Sequence, residues 1–203
     1  EALFRGAGAT VVDGGPSANP STAELLAAIR STGADEIVLL PNDSNVRAVD
    51  LAAADKADAR VHVIPTRSLV QGLAAISVAD PDHAFSEDVA VMEAAARGTR
   101  WGEVTTAVRD SQTEAGLCRT GDALGLIEGA VAVIGSDHEQ VVRDLLKLLL
   151  SAGGELVTVL LGEQCALGSG QRLASYLEAE HPGVEAQVLV GGQRHYPYLL
   201  GVE

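Results

Sequence analysis

Little in these 203 residues is aromatic, sulfur-bearing or basic, and each shortage removes a class of function. The two cysteines, Cys118 and Cys165, have no paired spacing. They exclude a disulfide framework and a four-thiolate metal site, and a reducing, cytoplasmic setting is expected. Fourteen basic residues stand against twenty-eight acidic ones, a net charge of −14. A field of that sign repels phosphate backbones and anionic membrane surfaces, so nucleic acid is not an expected partner. No apolar run approaches the ~18 to 20 residues of a membrane span, and the leucine-rich stretch 145–150 is interrupted by Lys147. A soluble chain is expected. The 3% aromatic content and abundant alanine imply no mechanism. The first residue is Glu1, with neither an initiator Met nor a basic-then-apolar leader, so the sequence reads as a piece of a longer protein.

What is present alternates. The β-branched run 10–12 ends in Asp13-Gly14-Gly15-Pro16, and Ser21-Thr22-Ala23-Glu24 forms a capping box for a helix burying Leu25, Leu26 and Ile29 and stopping near Gly33. Residues 36–40 make a strand closed by Pro41-Asn42-Asp43-Ser44-Asn45, and an alanine-rich helix follows over 46–54. A third strand, 60–64, is closed by Pro65-Thr66-Arg67-Ser68, and Ser68 with Gln71 predicts a second capping box for a helix to about Ser77. Strands alternating with helices call for a parallel sheet covered on both faces. The three loops then lie at carboxyl ends of strands, the edge where ligands and partners dock in open α/β sheets.

Asp80-Pro81-Asp82 breaks the pattern, and a domain boundary is placed there, between 1–82 and 83–203. A helix is expected over 86–97, with Val89, Met92 and Ala96 on one face. Short β-rich pieces follow at 103–110, 116–119, 123–128 and 130–134, reading as an antiparallel sheet. Asp137 then caps a strongly apolar helix at 141–150. A strand at 156–161, a helix at 169–180 and a final strand at 184–190 complete an α+β second half.

Candidate chemistry is sparse. Residues 14–22 put glycine backbone, hydroxyls and a helix start in one place, the ingredients of an anion site, although a plain turn with an N-cap needs the same residues. Neither nucleotide-loop fingerprint occurs. Arg109, at a strand end, either clamps a carboxylate or phosphate or pairs with an acid such as Asp110. Five scattered histidines offer no metal-ligand spacing, and no Gly-x-Ser-x-Gly elbow is present.

Five motifs occur in order: GGPSANPST (14–22), LLPNDSNV (39–46), VIPTRSLVQGLAA (63–75), TTAVRDS (105–111) and GGQRHYPYLLGVE (191–203). Together they resemble the C-terminal part of the large subunit of bacterial fatty acid kinase, also called a dihydroxyacetone-kinase-like fusion protein. The first departs from the family's commoner Gly-Gly-Gln-Thr-Met-Asn-Pro-Ser-Thr but matches it at Gly14, Gly15, Asn19, Pro20, Ser21 and Thr22. The resemblance implies a DegV-like, two-lobed α/β fold: a parallel α/β lobe followed by an α+β lobe with an antiparallel sheet. It also implies an N-terminal kinase domain elsewhere in the protein that uses Mg-ATP through an Asp-rich motif absent here. This region then carries no cofactor and no catalysis of its own. The implied partner is a DegV-type fatty-acid-binding carrier that presents a fatty acid for phosphorylation, and the full-length protein is open to forming a homodimer. In such carriers a hydroxyl residue in a strand-end loop holds the fatty carboxylate, and Ser17, Ser21 and Thr66 occupy similar loops here. The expected function is therefore recruitment of the carrier, with Asn19, Ser21, Thr22, Asn42, Asn45, Thr66, Ser68 and Arg109 as the partner- or ligand-binding candidates. The alternative is a module that itself holds a lipid or small anion.

Overall fold

The computed structural model describes residues 2–13 and 19–203. They form two compact units, Glu1–Gly98 and Thr99–Glu203. In the first, α1 (Ala2–Gly6) precedes α2 (Thr22–Thr32), β1 (Glu36–Leu39), α3 (Arg47–Lys56), β2 (Arg60–Val63), α4 (Leu69–Ser77) and α5 (Phe85–Gly98). β1 and β2 are parallel, Glu36 opposite Arg60 and Leu39 opposite Val63. Side chains alternate across a strand, and the pattern Glu-Ile-Val-Leu uses that alternation to build two cores. Ile37, Leu39 and Val61 face Leu25 and Ile29 of α2 and Ala53 of α3. Val38 and Leu40 turn the other way, to Ile64, Ala75 of α4, and Met92 and Ala96 of α5. The helices thus lie on both faces of the strands.

The expected strand at 10–12 has no ladder partner among the described residues, and Val12 instead packs beside the α2 and α3 core. Residues 14–18 of the expected anion loop lie outside the described residues. The boundary expected at 82 falls at Gly98. The physical reason is that α5 packs along α4 and contributes Met92 and Ala96 to their shared core. Asp80-Pro81-Asp82 is the turn joining them, held by the Asp80 N–H donating to Asp88 Oδ1 (2.9 Å) and the Asp82 N–H to Asp80 Oδ1 (3.0 Å).

The first capping box forms as expected. The Glu24 N–H donates to Ser21 Oγ (3.2 Å) and the Ser21 N–H to Glu24 Oε2 (2.7 Å). Gly33 ends α2 in the left-handed region, at φ 65°. Replacing Ser21→Ala is expected to lower stability by about 1 kcal/mol in urea unfolding, as loss of an N-cap acceptor does. An unchanged midpoint would show that α2 does not depend on its cap.

The second unit contains β3 (Arg100–Thr106), β4 (Ser111–Thr113), β5 (Gly116–Cys118), β6 (Ala123–Ile127), β7 (Ala130–Gly135), α6 (His138–Leu150), β8 (Leu156–Leu161), α7 (Ser169–Glu180), β9 (Glu185–Val190) and β10 (Tyr198–Val202). The pieces expected to pair antiparallel do so, β3 with β6 and β6 with β7, within a mixed sheet of six strands in the order β7-β6-β3-β10-β8-β9, antiparallel except for the β8–β9 pair. β4 and β5 form a separate hairpin. Val141, Val142, Leu145, Leu146 and Leu149 line one stripe of α6, as 3.6-residue periodicity requires, and pack with Leu173 and Leu177 of α7 on the sheet. Close approach needs small residues beneath. A Cβ on Gly102 would stand 3.1 Å from methyls of Leu145 and Leu149, and one on Gly125 3.0 Å from Val141. Arg100 closes the C-terminal end of α6 by donating to the carbonyls of Leu149 and Gly153. No described helix is long and apolar enough to cross a membrane.

Candidate functional site

Because β1 and β2 are parallel, their carboxyl ends share one edge of the first unit, and the loops 40–46 and 64–68 leave from it. They are joined there. The Asn42 N–H donates to Thr66 Oγ1 (2.9 Å), and the Thr66 N–H to the Ile64 carbonyl (2.7 Å). Asn42 has φ 59°, a left-handed conformation that asparagine tolerates better than most residues. The Asn45 N–H donates to Asp43 Oδ1 (2.8 Å), an Asx turn leading into α3.

This geometry divides the expected site residues. Asn19 and Asn45 are exposed, and Asn42 and Thr22 are partly buried. Ser21 is committed to its capping box. Thr66 and Ser68 are each 2% exposed, so they lie beneath the loop surface rather than on it. Arg109 belongs to the second unit, in the exposed turn after β3. Its neighbour Asp110 accepts from the Thr120 N–H (2.7 Å) and Oγ1–H (2.9 Å), bonds that hold the Asp110 carboxyl below the usual range.

The capping box expected of Ser68 and Gln71 does not form, because a tertiary partner wins. Gln71 Oε1 accepts from the Arg67 N–H (2.9 Å) while its Nε2 donates to the Ala96 carbonyl on α5 (3.1 Å). Ser68 caps α4 by position only, and its Oγ is buried without a hydrogen-bond partner. Among the described residues of this unit, Asn42 Oδ1 and Asp50 Oδ2 share that state. Asp50 is absent from the candidates that the sequence suggests, and its place in an otherwise alanine-rich helix is the signal that could have found it.

Asp50 is 1% exposed in the first turn of α3, and burial pushes its pKa up to about 6. A folded-state value above the unfolded one means that the folded chain takes up a proton first as pH falls. The charge therefore costs stability above pH 6, and that cost is relieved between about pH 6 and 4. Asp50→Asn is expected to raise stability at pH 7.5 by on the order of 1 to 2 kcal/mol and to change it little at pH 4.5. Comparison with the parent at each pH separates this effect from Glu24, Asp110, Glu139 and Asp144, whose carboxyls are held low by their hydrogen bonds. A lower melting temperature at pH 7.5 would show that the carboxylate is used where it stands.

In the second unit, Glu139, Val142, Arg143, Ser169, Leu173 and Tyr198 line a surface cleft too narrow to admit water. Burial pushes Tyr198 up to about 12 and raises the Cys165 thiol, whose S–H donates to the Pro197 carbonyl (2.7 Å). A thiol so held is a poor nucleophile. Among the described residues no three His, Cys, Asp or Glu side chains gather as metal ligands.

The family model for the FakA-like C-terminal region of fatty acid kinase matches residues 1–203. An uncharacterized protein of Staphylococcus haemolyticus is 33% identical over 99% of this chain and 37% of its own length, and Protein YloV of Bacillus subtilis 31% over 99% and 36%. The chain thus spans just over a third of the length of the curated relatives it matches. Among solved structures, a DegV family protein of Eubacterium eligens loaded with heptadecanoic acid superposes with a TM-score of 0.66 at 15% identity, covering 91% of this chain and 78% of that one. The Streptococcus pneumoniae Fatty Acid Kinase (Fak) B3 protein loaded with linoleic acid gives 0.65 at 16% identity, over 91% and 76%. The dihydroxyacetone kinase of C. freundii gives 0.64 at 15%, over 90% of this chain and 42% of that one. At these identities the likeness is one of fold, and the fold is DegV-like. With the family model matched from end to end, the chain belongs to the FakA-like C-terminal family of fatty acid kinase.

Proposed function

We propose that this chain recruits a DegV-type fatty-acid-binding carrier to a fatty-acid-kinase-like protein, docking it on the strand-end loops of the first unit. Mg-ATP and phosphoryl transfer belong, in this reading, to a kinase domain outside the chain. The observation that carries the proposal is how the loop edge is filled. Asn42 is tied to Thr66 and its side chain lies against α4 at Gly72, so the edge offers a packed surface with Asn45 exposed on it. The Fak B3 protein is a lipid-loaded member of the same fold, and membership of a FakA-like family supports a partnership with such a protein.

At −14 the chain attracts a basic carrier surface, and rim charges act mainly through association rate and salt sensitivity. Calorimetric titration with a lipid-loaded DegV-type carrier is expected to show binding that weakens between low and moderate salt. Absence of binding at both would sink the proposal.

A second reading rests on Ser68. Its Oγ, buried without a partner at the N-terminal end of α4, is a group that a small anion would satisfy, and a lipid or small-anion module is the function that follows. Saturable uptake of a fatty acid by the isolated chain would favour it.

A further inference from the structure

Gly72 occupies the fourth residue of α4, one helical turn after Ser68 and on the same face. A Cβ built there would stand 2.0 Å from Asn42 Oδ1, 2.7 Å from its Cγ and 2.9 Å from its Nδ2. No real contact is that short, so the amide of Asn42 occupies the volume that any other residue's Cβ would take. The same asparagine is held from its backbone as well. Its N–H donates to Thr66 Oγ1 at 2.9 Å, Thr66 is itself 2% exposed, and the backbone of Asn42 sits at φ 59°.

We infer that Gly72 and Thr66 are positioning residues that act through Asn42, fixing the left-handed turn that sets the loop 40–46 for docking. The inference rests on the carrier-recruiting reading for its purpose, but its geometry stands without a carrier. Glycine in a helix interior is otherwise a poor choice, costing stability relative to alanine. Gly72 therefore runs against helix propensity, and the space it leaves is the one Asn42 fills. Thr66 adds a directional constraint, since its buried hydroxyl, accepting from the Asn42 N–H, anchors the loop at one point.

The test is a double-mutant cycle in the intact chain. In the parent background, Gly72→Ala is expected to lower the melting temperature, because the added methyl displaces the asparagine. In an Asn42→Gly background, which keeps the positive φ and removes the amide, the same change is expected to raise it, because alanine is then simply the better helix former. Carrier affinity is expected to fall roughly tenfold for Gly72→Ala alone and to change less than about twofold in the Asn42→Gly background. Thr66→Val is expected to weaken carrier binding about tenfold, and Thr66→Ser, which keeps the acceptor, to stay within about twofold of the parent. A Gly72→Ala effect of the same sign and size in both backgrounds would overturn the inference, as would equal behaviour of Thr66→Val and Thr66→Ser. If the parent does not bind the carrier, the docking reading falls, and the sign reversal in melting temperature still decides whether Gly72 positions Asn42.

Discussion

A chain ending before Tyr198 is expected to lose the cooperative fold of its second unit. β10 is the fourth strand of six, antiparallel to β3 on one side and to β8 on the other, with all five residues buried. Removing it divides the sheet into β7-β6-β3 and β8-β9 and leaves both new edges with unpaired backbone groups. Burial of Tyr198, Leu199, Leu200 and Val202 contributes about 6 kcal/mol or more in total, comparable with the whole stability of an ordinary domain. Trp101, the single tryptophan, lies opposite Gly201 in this ladder and is 5% exposed, so its fluorescence reports directly on the loss. The truncated chain is expected to show red-shifted Trp101 emission and no thermal transition reported by that residue. A native emission maximum with a cooperative transition would mean that β3 and β8 close up without the strand.

The largest expected effect on binding comes from Asn42→Gly combined with Asn45→Ala. Glycine accommodates the φ of 59° at position 42, and Asn45 is exposed, so neither change strains the fold. What is removed is the buried amide of Asn42 that fixes the loop against α4 and the exposed amide of Asn45 at the docking edge. A partner group left buried and unpaired by loss of the Asn45 amide costs about 1 to 3 kcal/mol, about fivefold to 150-fold in carrier affinity, and release of the loop by Asn42→Gly adds to that loss, with a melting temperature near the parent's. Equal affinities would place docking elsewhere, with the exposed turn of Val108 and Arg109 in the second unit as the next surface to test.

The features legible in the sequence are those written locally. Ser21 and Glu24 sit at capping-box spacing and form the box, and the β1 and β2 runs with their helices read directly as a parallel α/β unit. Ser68 and Gln71 carry the same spacing and do not form it, because the Ala96 carbonyl on α5 and the Arg67 N–H take the glutamine. The boundary is displaced for a similar reason: Asp80-Pro81-Asp82 looks like a linker, but it is a tight turn between two helices that share a core. β10 escapes a local reading because Tyr-Leu-Leu-Gly-Val follows a Gly-rich, polar stretch and has no local partner. Its neighbours, β3 and β8, are distant in sequence. In the candidate site, the polar loops and the asparagines are visible in the sequence, whereas the burial of Thr66 and Ser68 and the role of Gly72 arise only when the loop after β1 folds across α4.

Native mass spectrometry of the chain, alone and mixed with a lipid-loaded DegV-type carrier, separates recruitment from lipid holding in one experiment. The chain alone is expected at its own mass with no adduct, and the mixture is expected to give a complex whose mass includes carrier and lipid. A lipid adduct on the chain alone, with no complex formed in the mixture, would contradict carrier recruitment.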